Sequence, residues 1–242
     1  MLYHLLYPLR DFFFAFNIFQ YISFRAVGAA ITALFISFLL GPRVIRMLIR
    51  LQVGETIRDT GPESHQIKVG TPTMGGALII LSIVIPTLLW AKVGDIHIQI
   101  LLLATIWMGL IGFFDDYLKV VKKYPEGLIA RYKMAGQITL GLVVGYLVLT
   151  YPTVTELRTV ISVPFIANGH LDIGWLYIPL VILVVTGTSN AVNLTDGLDG
   201  LATGLVAIAT LAFAAIAYAS GRFDYSDYLN ILYLPGTGEL FI

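Results

Sequence analysis

The sequence predicts an all-α fold, a polytopic bundle of membrane-spanning helices, and three observations predict it. Of the 242 residues, 57% are hydrophobic and 12% charged, where a soluble domain carries about a quarter charged. Six apolar runs each approach the ~20 residues a helix needs to cross the hydrocarbon core. Basic residues concentrate on alternate connections between those runs, the pattern that sets orientation in a bilayer. The formal net charge is zero, so there is no electrostatic footprint for nucleic acid. Cysteine is absent, which removes disulfide frameworks and thiolate metal sites.

The chain opens on an aromatic-rich segment, with Phe12, Phe13, Phe14 and Phe16 close to Tyr7 and Arg10. It lacks the basic start and small-residue cleavage site of a signal peptide. Aromatics prefer the headgroup level, so an interfacial anchor is expected here. The spans are expected at about 22–42, 74–91, 98–114, 134–150, 174–192 and 201–219. Pro86 and Pro179 fall inside them, which neighbouring helices tolerate in a membrane. Beyond the sixth run, 220–238 is polar and turn-rich, and Glu239-Leu240-Phe241-Ile242 reads as the first turn of another span. Residues 1–242 read as a single integral membrane domain.

Orientation follows from lysine and arginine. The first connection holds Arg43, Arg46, Arg50, Arg58 and Lys68, and the third holds Lys119, Lys122, Lys123, Arg131 and Lys133. Both belong in the cytoplasm by the positive-inside rule, with the N-terminus outside. Alternation then places three unusual polar stretches on the cytoplasmic face. Positive-inside charge and attraction to anionic lipid account for most of the basic residues.

The first stretch, Lys68 to Gly76, offers one lysine, two threonine hydroxyls and three glycines at a helix start, a combination suited to cradling an anion. It is not a P-loop, because no Gly-Lys-Ser/Thr ends it. The second sets Asp115 and Asp116 side by side at the end of an apolar run. Adjacent carboxylates repel unless they share a cation or a proton. A hard cation such as Mg²⁺ fits them, and a general base or nucleophile is the alternative. If a helix continues through this region, Asp115 and Lys119 lie one turn apart and can pair. The third stretch runs from Asn193 to Gly200, with Asn193, Asp196 and Asp199 between two apolar runs. Ionisable residues in such places are functional candidates. A calcium loop is excluded, since its twelfth position, counted from Asp196, is Ala207. Hydrogen bonds to a ring edge, to sugar hydroxyls or to a metal-bound water all remain open for these side chains.

Residues 68–76 (KVGTPTMGG) and 193–201 (NLTDGLDGL), with Asp115-Asp116 between them, resemble the phospho-N-acetylmuramoyl-pentapeptide transferases, a branch of the polyprenyl-phosphate N-acetylhexosamine-1-phosphate transferase superfamily. The resemblance runs from about Phe24 onward. It implies a Mg²⁺-dependent enzyme of the bacterial cytoplasmic membrane that moves phospho-MurNAc-pentapeptide from UDP-MurNAc-pentapeptide to undecaprenyl phosphate. The products are UMP and lipid I, in the first membrane step of peptidoglycan synthesis. It implies that Asp115 and Asp116 belong to the catalytic centre and ligate Mg²⁺, with Asp115 a candidate base. It further implies that Lys68, Thr73, Asn193, Asp196 and Asp199 line the nucleotide pocket, and that the protein forms a homodimer among membrane lipid. The family has around ten spans, of which about six are present here. A third aspartate, central to the Mg²⁺ site, and a histidine-rich motif are expected beyond residue 242. The chain is therefore expected to be C-terminally truncated and inactive by itself. A sister transferase using UDP-N-acetylglucosamine is the alternative enzyme. An ion-coupled transporter would carry its carboxylates near the midplane and in repeated halves, and neither pattern is seen.

Overall fold

The computed structural model describes residues 1–50, 74–124, 126–163, 170–198 and 200–242. Among the described residues, five helices are long and apolar enough to span a membrane. They are α2 (Ile22–Arg50), α4 (Ile96–Val120), α5 (Ala130–Thr150), α6 (Tyr177–Thr195), which continues a 3-10 turn at Gly174–Leu176, and α7 (Leu201–Ser220). The protein is a multi-pass membrane bundle. The expected second span is α3 (Gly76–Trp90), at 15 residues. At 1.5 Å per residue it covers about 22 Å, short of the ~30 Å hydrocarbon core. Two short helices, α1 (Leu2–Leu6) and α8 (Phe223–Tyr228), lie outside the spans.

Several spans run further than the apolar runs that announce them. Helix α2 continues beyond Pro42 for two turns that carry Arg43, Arg46 and Arg50. Arg43 Nη1 donates to Leu39 O at 2.7 Å, next to the carbonyl that proline cannot serve. Helix α4 is capped by Asp95, whose carboxylate accepts from His97 N at 2.8 Å, and extends past both aspartates to Val120. The Asp pair therefore sits on the last turns of a helix. Asn193 likewise belongs to the final turn of α6.

One feature was not expected. Between α5 and α6, β1 (Val160–Ser162) pairs antiparallel with β2 (His170–Asp172), in register Val160 to Asp172. The carboxylate of Asp172 accepts from Thr159 Oγ1 at 2.6 Å and from Gly174 N at 2.9 Å. These local bonds close the base of the hairpin.

Glycine lets two of the spanning helices approach closely. Gly141 and Gly145 lie four apart on the α5 face that meets α6, the small-xxx-small spacing that lets membrane helices touch. A Cβ on Gly141 would stand 2.8 Å from Ile182 Cα, and one on Gly145 would touch Ile178 and Val181. On the other flank α2 meets α3, where Trp90 Nε1 donates to Thr32 Oγ1 at 2.9 Å and Ser37 Oγ to Ser82 Oγ at 3.1 Å.

Candidate active site

Asp115 gathers the charged groups at one end of the bundle. Lys119, one turn on, places Nζ 2.9 Å from Asp115 Oδ2, and Lys133, on α5, places Nζ 2.8 Å from Oδ1. Leu128 N donates to Oδ1 at 2.8 Å. The connection from α4 to α5 is thus folded back onto the carboxylate. Gly127 makes this possible: its φ is +63°, and an added Cβ would come about 2.5 Å from Asp115 Oδ1. An L side chain pays steric strain in that conformation.

Lys133 also lines an open cleft of 490 Å³ between the first turns of α5 and the last turns of α6. Gln137, Asn190 and Asn193 share its wall. Beneath it, Gln137 Nε2 donates to Ser189 Oγ and Asn190 Nδ2 donates to Gln137 Oε1, both at 3.0 Å. Asp116 faces elsewhere. It closes one end of an apolar groove of 400 Å³ between α3 and α4, walled by Ile80, Ile106, Leu110 and Phe113.

The structure therefore joins Asp115 to Asn193 through Lys133 and the cleft. It places Asp116 on the adjoining groove and Asp196 on the exposed turn that ends α6, outside the cleft wall. Lys68, Thr73 and Asp199 lie outside the described residues. Among the described residues, no three His, Asp or Glu side chains gather as a metal cluster.

Residues 98–238, more than half of the chain, match the family described as glycosyl transferase family 4. The chain belongs to that family. Similar proteins include one from Desulfotalea psychrophila, 46% identical over 242 residues, covering all of this chain and 67% of the relative. One from Chloroherpeton thalassium is 49% identical over all of this chain and 66% of the relative. One from Pelobacter propionicus is 51% identical over 99% of this chain and 66% of the relative. All three are named phospho-N-acetylmuramoyl-pentapeptide-transferase. The chain spans about two thirds of the length of these curated relatives.

Within the part matched to glycosyl transferase family 4, the geometry singles out residues that the sequence left unmarked. Lys133 was hidden among charges that topology alone explains, whereas the Asp115–Lys119 pair is the one their one-turn spacing predicts. Gln137 is a polar residue inside an apolar helix and Asn190 closes the polar run Thr186-Gly187-Thr188-Ser189-Asn190, and only the α5–α6 contact shows them facing each other. A signal was present in the Gly141-x-x-x-Gly145 spacing, which marks the α5 face that packs on a neighbour.

Proposed function

We propose that the protein transfers phospho-N-acetylmuramoyl-pentapeptide from its UDP carrier to undecaprenyl phosphate, releasing UMP and forming lipid I. The observation that carries this reading is Lys133, which lines the cleft with Asn193 and is paired there with Asp115, a carboxylate that Lys119 also meets. The names of the relatives support the transferred group, phospho-N-acetylmuramoyl-pentapeptide. The active face is cytoplasmic by the positive-inside count, in the bacterial inner membrane, with the N-terminus outside.

Phosphoryl transfer asks mainly for positioning and for neutralisation of charge on the phosphates. Lys133 has one N–H directed at Asp115 and two further donors for phosphate oxygens. Both Asp115 oxygens accept from lysine, and one also accepts from Leu128 N. We therefore assign Asp115 to positioning the lysines rather than to taking a proton. Mg²⁺ is satisfied by one or two carboxylates together with water and substrate phosphates, and Asp116 fits as its protein oxygen donor. When bound, the ion would neutralise charge on the pyrophosphate. The apolar groove that ends at Asp116 gives a water-insoluble acceptor a route from the bilayer.

The test is a transfer assay in vesicles containing undecaprenyl phosphate, using the protein at the length of its relatives. Label should enter the lipid extract from UDP-MurNAc-pentapeptide and not from UDP-N-acetylglucosamine. Label entering from the second donor alone would overturn the assignment in favour of the sister transferase.

A further inference from the structure

We propose that Gln137 is a positioning residue that fixes the side-chain amide of Asn190 so that its carbonyl oxygen is presented to the cleft as an acceptor. The inference rests on the reading of this cleft as the donor-substrate site and goes beyond it by assigning a residue that touches no reacting atom. Asn190 Nδ2 has two N–H groups, and both are used: one donates to Gln137 Oε1 at 3.0 Å, the other to Thr186 O at 2.8 Å. Turning the amide over would set its oxygen against two other oxygens, so the orientation is determined by its partners. Gln137 is tethered at its other end, where Nε2 donates to Ser189 Oγ at 3.0 Å.

What remains on Asn190 is Oδ1, which meets no donor among the described residues, on a side chain in the wall of the cleft. A lone carbonyl oxygen there selects an N–H or O–H donor of the ligand. The ring imide and ribose hydroxyls of a uridine nucleotide both supply one. Gln137 is 6% exposed and lies one turn before Gly141, where an added Cβ would stand 2.8 Å from Ile182 Cα on α6. The glycine contact brings the two amides within reach, and Gln137 converts that contact into a fixed direction for Asn190.

A polar clamp between helices would show some of the same bonds, so the test must separate clamp from positioning. Uridine diphosphate is titrated by calorimetry into the detergent-solubilised protein, at the length of its relatives. The variants are Gln137→Leu, Asn190→Ala and the double variant, with Tm recorded for each. Loss of one oriented hydrogen bond predicts a rise in Kd of about tenfold for Gln137→Leu. The double variant should bind like Asn190→Ala alone, because Gln137 acts through Asn190 and the two effects are not additive. Ser189→Ala loosens the amide of Gln137 without touching the cleft and should weaken binding about threefold, in proportion to a partly lost bond. A Kd unchanged in both Gln137→Leu and Ser189→Ala overturns the proposal, as does a Gln137 effect that persists in full on the Asn190→Ala background. If Asn193→Ala and Lys133→Ala weaken binding in those cases, the site reading survives alone. If the unmodified protein binds no uridine diphosphate, both fall.

Discussion

Lys133 and Asp115 come from different helices and meet at 2.8 Å, so a change in either is felt at the other. Asp115→Asn keeps the shape and removes the charge that holds both lysines. Transfer should fall by at least about tenfold, the cost of a misplaced charge-assisted contact, while the melting temperature in detergent changes little. An equal drop in stability would assign the pair to the fold instead. Gly127→Ala should cost roughly 1–2 kcal/mol, because alanine is strained at φ +63°. It should also release Leu128 N from Asp115, which amide exchange at that position would register. The aspartate pair could be read from the sequence because two carboxylates beside an apolar run need a partner. Lys119 followed from its one-turn spacing, but Lys133 did not, since five basic residues lie within one connection and the backward fold at Gly127 brings it to Asp115.

At the scale of elements, α5 and α6 act as one unit. Their contact depends on Gly141, so Gly141→Leu should force the helices apart, at the 1–3 kcal/mol typical of overpacking. The Gln137–Asn190 bond should break with it. A cysteine pair placed across the interface would then crosslink more slowly than in the unmodified protein, and an unchanged rate would contradict the packing described. Apolar length located the spans well but misjudged their ends, because α2, α4 and α6 carry polar residues on their last turns. The β1–β2 hairpin escaped a reading tuned to hydropathy: three-residue strands give too short an alternation to register.

At the scale of the molecule, the two ends of the bundle hold different polar networks. Opposite the cleft, Arg25 on α2 is fully buried and meets Glu239 through two hydrogen bonds, at 2.6 and 2.7 Å. Lys92, after α3, adds a third contact with Glu239 at 3.1 Å. This ties the 3-10 turn at Thr237–Phe241 to the first span. Burial opposes the charged form of Glu239, but the hydrogen bonds and charges of Arg25 and Lys92 outweigh it and hold its pKa below the usual 4.5. Because the folded value is the lower one, the carboxylate's stabilisation is whole above pH 4.5 and is lost as pH falls through the depressed value. Glu239→Gln leaves Arg25 buried without its counter-charge, at a cost of roughly 3–5 kcal/mol. It should also flatten the acid limb of a Tm-against-pH curve, and an unaltered limb would deny the pair its role. The sequence showed Glu239 only as the start of an apolar turn. A partner 214 positions away leaves no local trace.

We propose that the cleft lined by Lys133, which Asp115 holds in place, performs phosphoryl transfer from a uridine nucleotide. It is tested most directly by UMP release from UDP-MurNAc-pentapeptide, with undecaprenyl phosphate and Mg²⁺ in detergent, using the protein at the length of its relatives. UMP formation should require both the lipid and Mg²⁺, and should fall at least about tenfold in Lys133→Ala. A folded protein that releases no UMP, or a Lys133→Ala variant that releases it at the full rate, would contradict it.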